Sequence, residues 1–414
     1  MRFCGAYTIY QPQPQILMKV RRSILIFLFS VLLIGSCIYP FTPEIEDVDV
    51  GLLVIEGDIR IGAMSHIYVH YSQPLGSIEK PDYISANVWV ESDKGEIISA
   101  GSFKNGAHII DTRDLDPNNS YRLHVKRYGG GLTRVTASHA PAYAINDEYV
   151  TDWLDVLHTP ELEDVIFKVD DIGEKVTFHV STTNQDDNPY YKWDCIEDWE
   201  YTAYYNATHE FVPGANIVRR IVGANNYFCW DNDVVSKIMI ASTGALKENR
   251  LVEHQIYELP FRSKKLSFLY STEVIQSSIS REAYIYWEVM SRNTEQTGGL
   301  FSPQPSEIRG NIHCVNDSTR IVVGYISAST VSSSRVFVSV HDLPRMTRGE
   351  DCGPLVELVI SEGYFMRRYH EIGYRMIYYD REEQKTFWTK QRCVDCTTKG
   401  GTKDKPDFWP NAHL

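Results

Sequence analysis

A basic and then apolar segment near the amino terminus determines where the folded part of this chain can begin. Three basic residues between positions 19 and 22 precede an apolar run, 24–34, that only Ser30 interrupts. A membrane-spanning helix needs about 20 apolar residues, so this run is too short to cross a bilayer. A basic flank and a short apolar run are typical of a secretory signal peptide. We therefore predict that residues 18–36 are a signal peptide.

The residues after the apolar run predict how the mature chain is attached. Ile34-Gly35-Ser36-Cys37 resembles the lipobox of bacterial lipoproteins, in which a cysteine follows small residues. The thiol of that cysteine receives a diacylglycerol, and the cysteine becomes the new amino terminus. We therefore predict lipidation at Cys37 and a lipidated tether over 37–50; the alternative is an uncleaved amino-terminal anchor. Residues 1–17 have no features of an export signal, and we interpret them as a mis-annotated start.

The charge of the predicted mature chain excludes one class of partner. Without residues 1–36 the chain retains 37 basic against 54 acidic residues, a formal net charge of −17. No basic block remains, so nucleic acid is not expected as a partner. The remaining 378 residues are enough for two or three domains. The predicted contact with the membrane is therefore the amino-terminal lipid rather than a basic surface.

Alternating apolar residues predict a β-sandwich in the first domain. They recur at every second position around residues 53–55, 67–71 and 88–90, with turn-forming residues between them. Leu115, Tyr121, Leu123 and Val125 then follow the spacing of the corner and strand found in immunoglobulin-like sandwiches. We therefore predict an immunoglobulin-like β-sandwich over 51–140.

The rest of the chain is also expected to be rich in strands. Residues 141–345 are predicted to form a larger β-rich domain, and 346–414 to add strands and a cysteine-containing tail. The strands expected in these regions include 165–169, 176–180, 190–199, 217–222, 238–241, 265–270, 321–327 and 335–340. One prominent α-helix is predicted over 280–292, capped by Ser280 and with Ala283, Trp287 and Met290 on one face. The predicted fold class is therefore mainly β.

One predicted strand has two possible uses. The segment 189–205 is dense in Tyr and Trp, with acidic residues between them. Exposed, its rings could stack on sugars; buried, they would form the core of a twisted sheet, which we favour. Glu197, Asp198 and Glu200 could include a glycosidase pair, but neighbouring acids are more often a solvated face.

Six cysteines follow the predicted lipidation site, and an even number in an exported chain favours disulfides. The possible disulfide residues are Cys195, Cys229, Cys314, Cys352, Cys393 and Cys396. The spacing of Cys393 and Cys396 could also belong to half a zinc site or a redox pair. We favour structural bridges, with at least one of these two cysteines paired to a distant cysteine, either Cys352 or Cys314.

Sequence motifs for catalysis are almost absent. The chain has no G-x-S-x-G elbow, and the serine-rich stretch 327–334 is interpreted as a loop between strands. His370-Glu371 begins like a zinc-protease motif, but the fifth position is Tyr374 rather than His. We therefore do not predict an enzyme, and we predict neither a cofactor nor a metal.

Several motifs together resemble a family of Bacteroidetes lipoproteins, domain of unknown function 4249. They are Ser280-Arg281-Glu282-Ala283-Tyr284-x-x-Trp287, Thr297-Gly298-Gly299-Leu300-Phe301-Ser302-Pro303, Gly310-Asn311-Ile312, Cys393-Val-Asp-Cys396 and Lys405-Pro406-Asp407-Phe408-Trp409. The resemblance implies an outer-membrane lipoprotein that acts as an accessory or ligand-capture component beside a TonB-dependent transporter. The alternative is a structural or adhesive surface protein. The acids that would direct surface export begin only at Glu44, which leaves a surface or a periplasmic orientation open.

The loop after the predicted helix is the candidate for partner contact. Residues 297–312 contain turn formers but also the apolar Leu300 and Phe301. These side chains either pack under the helix, which we favour, or form a rigid docking surface for an outer-membrane barrel. The sequence does not identify the ligand.

Overall fold

The computed structural model describes residues 51–73, 81–127, 147–170, 174–184, 187–223, 225–295, 310–344 and 352–410. All of them belong to one compact unit, Asp49–Leu414. This unit is mainly β, as predicted, and two α-helices occur among the described residues.

The strands are numbered along the chain. The first ten are β1 (Leu53–Glu56), β2 (Ile59–Ile61), β3 (Met64–Tyr71), β4 (Asn87–Ser92), β5 (Ile97–Ser99), β6 (Ser102–Lys104), β7 (Ala107–Asp111), β8 (Ser120–Lys126), β9 (Glu148–Thr151) and β10 (Leu154–Asp155). The next nine are β11 (Leu162–Val169), β12 (Lys175–Thr183), β13 (Tyr190–Thr202), β14 (His209–Val212), β15 (Ile217–Arg220), β16 (Phe228–Val234), β17 (Met239–Ser242), β18 (Arg250–Pro260) and β19 (Leu269–Ser278). Then follow helix α1 (Arg281–Glu295), β20 (Ile312–Cys314), β21 (Val322–Val323), β22 (Ala328–Ser339), β23 (Val356–Val359), helix α2 (Gly363–Glu371), β24 (Tyr374–Asp380) and β25 (Lys385–Lys390).

The first two sheets share one apolar core. One has the order β21-β1-β3-β7-β6, and the other has the order β20-β9-β8-β4-β5. Ile55 and Val69 from the first sheet pack in one cluster with Val90 and Leu123 from the second. The central orders β1-β3-β7-β6 and β9-β8-β4 are compatible with the immunoglobulin-like sandwich expected from the sequence, which stays a prediction; we keep the word sandwich for this pair of sheets.

The predicted corner tyrosine lies in this core. Tyr121 is fully buried at the start of β8, and its hydroxyl donates to the carbonyl oxygen of Asp116 at 2.8 Å. This bond back to the chain a few residues upstream is the arrangement that the Leu115–Val125 spacing predicts.

From the sequence, the sandwich was expected to end near residue 140. In the structure it continues beyond that position. Strands β9 and β10 and the much later β20 and β21 complete it. Val322 pairs in parallel with Leu53, and Ile312 pairs with Thr151. Because these added strands have only two to four residues, alternation in the sequence was too short to reveal them.

A second pair of sheets follows. The three-stranded sheet β11-β12-β18 packs on the sheet β16-β13-β19-β22-β2, with β17 also paired to β13. Phe178 of β12, Trp193 of β13 and Val274 of β19 belong to their shared core. Strand β2 crosses from the sandwich region to pair in parallel with β22, so the two sheet systems are joined through the backbone.

Helix α1 begins where the sequence predicts. The Ser280 hydroxyl accepts a hydrogen bond from the backbone N–H of Ala283 at 3.1 Å, which satisfies one free donor of the first turn. Ala283 and Tyr286 are buried, whereas Trp287 and Met290 are half-buried.

A third, smaller core lies in the carboxy-terminal part. Sheet β23-β25-β24, helix α2 and the hairpin β14–β15 pack around Met366 and Trp388. Helix α2 was not predicted: the sequence indicated one prominent helix, and the described residues contain two. Its sequence, GYFMRRYHE, has Gly first and three aromatic side chains, which are weak helix signals.

Two further local predictions differ from the structure. The expected strand 265–270 begins instead with a 3₁₀ turn, Lys264–Leu266, and becomes a strand only at Leu269. The serine-rich stretch 327–334 is not a loop but most of β22, which pairs with β19 over nine residues. Pairing to a central strand outweighs the low intrinsic preference of serine for strands.

Candidate functional site

Strand β13 directs its tryptophans into the core, together with one of its acids, Glu197. Trp193, Trp199 and Tyr201 are buried in the core between the second pair of sheets. These rings are therefore the core of a twisted sheet, and the sugar-stacking alternative for this segment does not fit the structure.

The three acids of β13 are not a solvated face, which corrects the sequence analysis. All three are buried. The Glu197 carboxylate accepts from the Tyr270 hydroxyl at 2.7 Å and binds the Lys265 ammonium at 2.5 Å. Glu200 accepts from the Trp409 indole N–H at 2.9 Å. These acids have partners because an unpaired buried carboxylate is too costly to keep.

Asp198 forms a separate ion-paired group. Its carboxylate lies 2.9 Å from Arg335, which also binds Glu273 at 2.6 Å. Burial raises the pKa of Asp198 above its ordinary value, although Arg335 opposes this shift. The ring of Phe408 lies 3.7 Å from the Arg335 guanidinium and covers it. These contacts give Asp198 a role in holding the carboxy-terminal segment on the sheet.

A cluster of four charges lies where the sandwich meets β13; we call it the Lys192 cluster. Its members are Asp58, Arg60, Lys192 and Asp194. The Lys192 ammonium lies 2.7 Å from Asp58 and 3.4 Å from Asp194, while Arg60 lies 2.7 Å from Asp194. The Trp287 ring of α1 covers Lys192 at 5.1 Å.

The charges of the Lys192 cluster stabilise one another. Burial alone would lower the pKa of Lys192, but the carboxylates of Asp194 and Asp58 outweigh burial and raise it. Burial would raise the pKa of Asp194, but Lys192 and Arg60 hold it below its ordinary range. Lys192 and Asp194 therefore remain ionised as a pair near neutral pH.

Several buried hydroxyl and N–H groups surround the same cluster. The Ser277 and Ser329 hydroxyls and the Trp287 indole N–H have no hydrogen-bond partner among the described residues. Ser277 lies directly opposite Lys192 in the sheet, and Ser329 lies opposite Arg60. Such groups usually bind ordered water in proteins. We interpret the Lys192 cluster as a polar joint between the two sheet systems rather than as a ligand site.

An open pocket lies at the free edge of the sandwich, where the chain passes from β5 to β6. Its volume is about 300 Å³. Small polar side chains and aromatic rings contribute to its lining: Ser85, Asn87, Trp89, Ser99, Ser102, Phe103 and His108. None of the described residues that line it is charged, which favours an uncharged ligand. We call this the sandwich-edge pocket.

Two rings of the sandwich-edge pocket are fixed in place. His108 is buried, and its Nε2 accepts from the Ala86 N–H at 2.9 Å while its Nδ1 donates to the Ile67 carbonyl at 3.2 Å. Burial lowers the pKa of His108, so the ring is neutral at physiological pH. The Trp89 ring stacks on His124, with ring centres 4.7 Å apart.

The third ring is the one that a ligand can reach most easily. Phe103 is 44% exposed, and its centre lies 4.7 Å from that of His108. A rigid aromatic face beside serine hydroxyls and an asparagine amide can contact a ring that carries hydroxyl groups. Sequence analysis missed this pocket, because it forms only when the edges of two sheets meet. The one local signal was Phe103, an aromatic residue beside the turn at Asn105-Gly106.

The cysteines form two bridges. Cys396 pairs with Cys229, and Cys393 pairs with Cys352, one of the two distant partners suggested from the sequence. Cys195 and Cys314 are free, which corrects their inclusion among the possible disulfide residues. They cannot meet, because Cys195 lies in the core of the second pair of sheets and Cys314 in the sandwich core.

The remaining predicted site residues lie outside the described part of the chain. These are Cys37, Leu300 and Phe301, so their roles stay predictions. Within the described ranges, no group of three or more His, Cys, Asp or Glu side chains is arranged to hold a metal. No helix there is long and apolar enough to cross a bilayer.

Comparison with known proteins gives one match. A family model described as a domain of unknown function, DUF4249, matches residues 38–335, which is more than half of the chain. The matched range includes the sandwich-edge pocket, the whole Lys192 cluster and helix α1. The search of curated proteins found no match.

Proposed function

The chain belongs to the DUF4249 family, and we propose that it is a lipid-anchored outer-membrane protein that captures a small neutral ligand for a TonB-dependent transporter. The observation that carries the proposal is the sandwich-edge pocket. Its volume of about 300 Å³ is at the lower end for small-molecule sites, which suits a ligand of monosaccharide size. The pocket combines an exposed ring with hydroxyl and amide groups, and the lining residues that the structure describes carry no charge.

The anchor follows from the amino-terminal sequence. Ile34-Gly35-Ser36-Cys37 supports attachment of a diacylglycerol to Cys37. From Cys37 to Gly51 the chain can span at most about 50 Å, because an extended residue covers about 3.5 Å. A capture protein held within that distance of a membrane would meet ligands close to the entrance of a transporter.

Calorimetric titration of the unit 49–414 with neutral mono- and disaccharides tests ligand capture. We expect binding that Phe103→Ala weakens at least about tenfold, since the variant removes the exposed aromatic face. Ile97→Ala is the matched control, because Ile97 is an exposed apolar residue of β5 that does not line the pocket. Equal affinity in all three proteins, or no binding to any saccharide, would remove the pocket from the proposal.

A structural or adhesive role is the second candidate. It is favoured by the immunoglobulin-type strand order of the sandwich, since many cell-surface proteins use that architecture. Purification from detergent-solubilised outer membranes distinguishes the two. A barrel partner in stoichiometric amounts supports the accessory role, whereas isolation without a partner, together with binding to cells or matrix, supports adhesion.

A further inference from the structure

Helix α2 has an unusual solvent face. Met366 anchors the helix in the small carboxy-terminal core and is 1% exposed. On the opposite side Tyr364, Phe365 and Ile372 are 77, 49 and 55% exposed. The Tyr364 and Phe365 rings lie 5.5 Å apart, and Ile372 follows directly after the helix end, so these side chains form an apolar stripe that Arg368, one turn after Tyr364, interrupts. Nothing among the described residues covers it.

Basic side chains border the stripe. Arg367 and Arg368 are exposed on the same helix, and Arg368 lies 3.7 Å from Glu371. We call Tyr364, Phe365, Arg367, Arg368 and Ile372 the α2 surface. Its two arginines stand beside its aromatic rings, which is the composition of helices that lie in a membrane interface.

The neighbouring hairpin extends the basic border. Gly363, at the start of α2, packs so closely on Asn216 that a Cβ at position 363 would lie 2.4 Å from the Asn216 amide nitrogen. The hairpin carries exposed Arg219 and Arg220, of which Arg219 is paired with Glu210 at 2.7 Å. Burial, then Arg220 and Arg381, lower the pKa of His209 on this hairpin.

The distribution of charged residues favours a lipid surface as the docking partner of α2. The chain as a whole is strongly acidic and is repelled by anionic lipids. The α2 surface and the neighbouring hairpin differ from this average, since they place four arginines near exposed aromatic rings; Arg368 and Arg219 are ion-paired with Glu371 and Glu210, and Arg367 and Arg220 stand outside those two pairs. Arginines attract phosphate headgroups, and aromatic side chains partition to the boundary between headgroups and acyl chains.

We infer that the α2 surface docks on an anionic lipid bilayer, with Tyr364, Phe365 and Ile372 entering the headgroup region and Arg367 and Arg368 binding lipid phosphates. The inference goes beyond ligand capture and rests on the proposed anchor for bringing the unit near the membrane. A single lipid attachment leaves the orientation of the folded unit free, and a second contact fixes it. The bound unit would then present a constant face to a partner in the same membrane.

Flotation of the unit 49–414 with lipid vesicles tests this inference. The unit has no lipid of its own, so the result does not depend on modification of Cys37. We expect it to float with phosphatidylcholine vesicles that contain about a third phosphatidylglycerol, and much less with phosphatidylcholine alone. Raising the ionic strength should weaken the binding, because exposed charges are screened.

Two variants separate charge from apolar contact. Arg367→Glu with Arg368→Glu should weaken binding to the anionic vesicles at least about tenfold, since each basic residue contributes several-fold. Tyr364→Ser with Phe365→Ser should weaken binding to the same vesicles without removing its salt dependence. The matched control is Lys94→Glu with Ile97→Ser, which changes one exposed cation and one exposed apolar residue on the sandwich. All variants should keep the thermal unfolding midpoint, because Met366 is unchanged.

Three outcomes overturn the inference. One is no flotation of the unmodified unit with anionic vesicles, and another is equal flotation of the charge-reversed variant and the control. The third is loss of an outer-membrane protein partner, rather than of vesicle binding, in the α2 variants; this would assign the α2 surface to a protein. Failure of saccharide binding would leave the flotation result unaffected.

Discussion

The Lys192 ammonium on β13 lies 2.7 Å from the carboxylate of Asp58, which directly precedes β2. Asp58 is almost completely buried, and its other carboxylate oxygen accepts from the backbone N–H of Ser327 at 3.0 Å. One carboxylate therefore connects three segments that are far apart in sequence. The contact joins the sandwich to the second pair of sheets at the point where β2 enters the larger sheet.

The first prediction concerns this contact. Lys192→Met should lower the free energy of unfolding by about 3–5 kcal/mol, because it leaves the buried Asp58 carboxylate without its cation. Urea denaturation measures the change. Lys168→Met is the control, since Lys168 pairs with Glu253 in solvent and its loss should change little. Equal stability of the Lys192 variant and the unmodified protein would show that the joint contributes nothing.

The second prediction is that two acids of β13 make opposite contributions to the pH dependence of stability. Lys192 and Arg60 overcome burial and lower the pKa of Asp194, so its contribution exists above its unfolded pKa and is lost as pH falls through the folded pKa. Burial raises the pKa of Asp198 despite Arg335, so ionising it costs stability as pH rises through that value.

Comparison of two asparagine variants from strongly acidic pH, below the ordinary pKa of aspartate, up to neutral pH tests this difference, because the Asp194 contribution changes below that ordinary pKa and the Asp198 contribution above it. The stability lost in Asp194→Asn should grow as pH rises, whereas Asp198→Asn should become more stable relative to the unmodified protein over the same range. Parallel pH profiles for the two variants would contradict the assigned pKa directions.

The third prediction concerns the bridges that hold the carboxy-terminal segment. Residues 229 and 396 close a loop of 167 residues, and residues 352 and 393 a loop of 41. In the chain-entropy model these bridges stabilise by about 5 and about 4 kcal/mol. Peptide mapping without reduction should recover Cys229–Cys396 and Cys352–Cys393.

The free cysteines provide the control for the disulfide map. Burial raises the pKa of the Cys195 thiol, so it should resist alkylation until the protein unfolds. Cys314 is also buried, so reagents should not reach it before the protein unfolds. A peptide that joins Cys393 to Cys396, or one that joins Cys195 to Cys314, would contradict the structure.

The fourth prediction tests the corner of the sandwich. Tyr121→Phe removes only the hydroxyl that donates to Asp116, and it should lower the free energy of unfolding by about 1 kcal/mol. Tyr364→Phe is the control, because that side chain is mostly exposed and should tolerate the loss. Thermal melts of both variants measure the difference, and a destabilised Tyr364→Phe variant would show that the comparison does not isolate the corner bond.

Local sequence patterns predicted the structural elements that depend only on residues close together in the chain. The spacing from Leu115 to Val125 predicted the corner of the sandwich, and Ser280 predicted the start of α1. Alternation in β13 predicted a strand, and its aromatic side chains do face the core. In each case a period of two residues or a single capping group is sufficient to specify the local structure.

Other features depend on residues that are distant in sequence, and local patterns could not predict them. The Val322–Leu53 pairing brings a two-residue strand to the sandwich edge from almost 270 positions away. Disulfide connectivity is not encoded in spacing. Local sequence predicted that Asp198 is a surface acid, because the residues that bury it, Arg335 and the carboxy-terminal segment, are distant in sequence. The sandwich-edge pocket likewise exists only because two sheet edges meet.

We propose that the chain is tethered to the outer membrane through Cys37. Metabolic labelling with palmitate, followed by mass analysis of the amino-terminal peptide and membrane fractionation, tests it most directly. We expect the mature chain to begin at Cys37, to carry the lipid and to fractionate with the outer membrane, and Cys37→Ala to lose both label and membrane association. An unlabelled Cys37 in the unmodified protein, or undiminished labelling of the variant, would contradict the account.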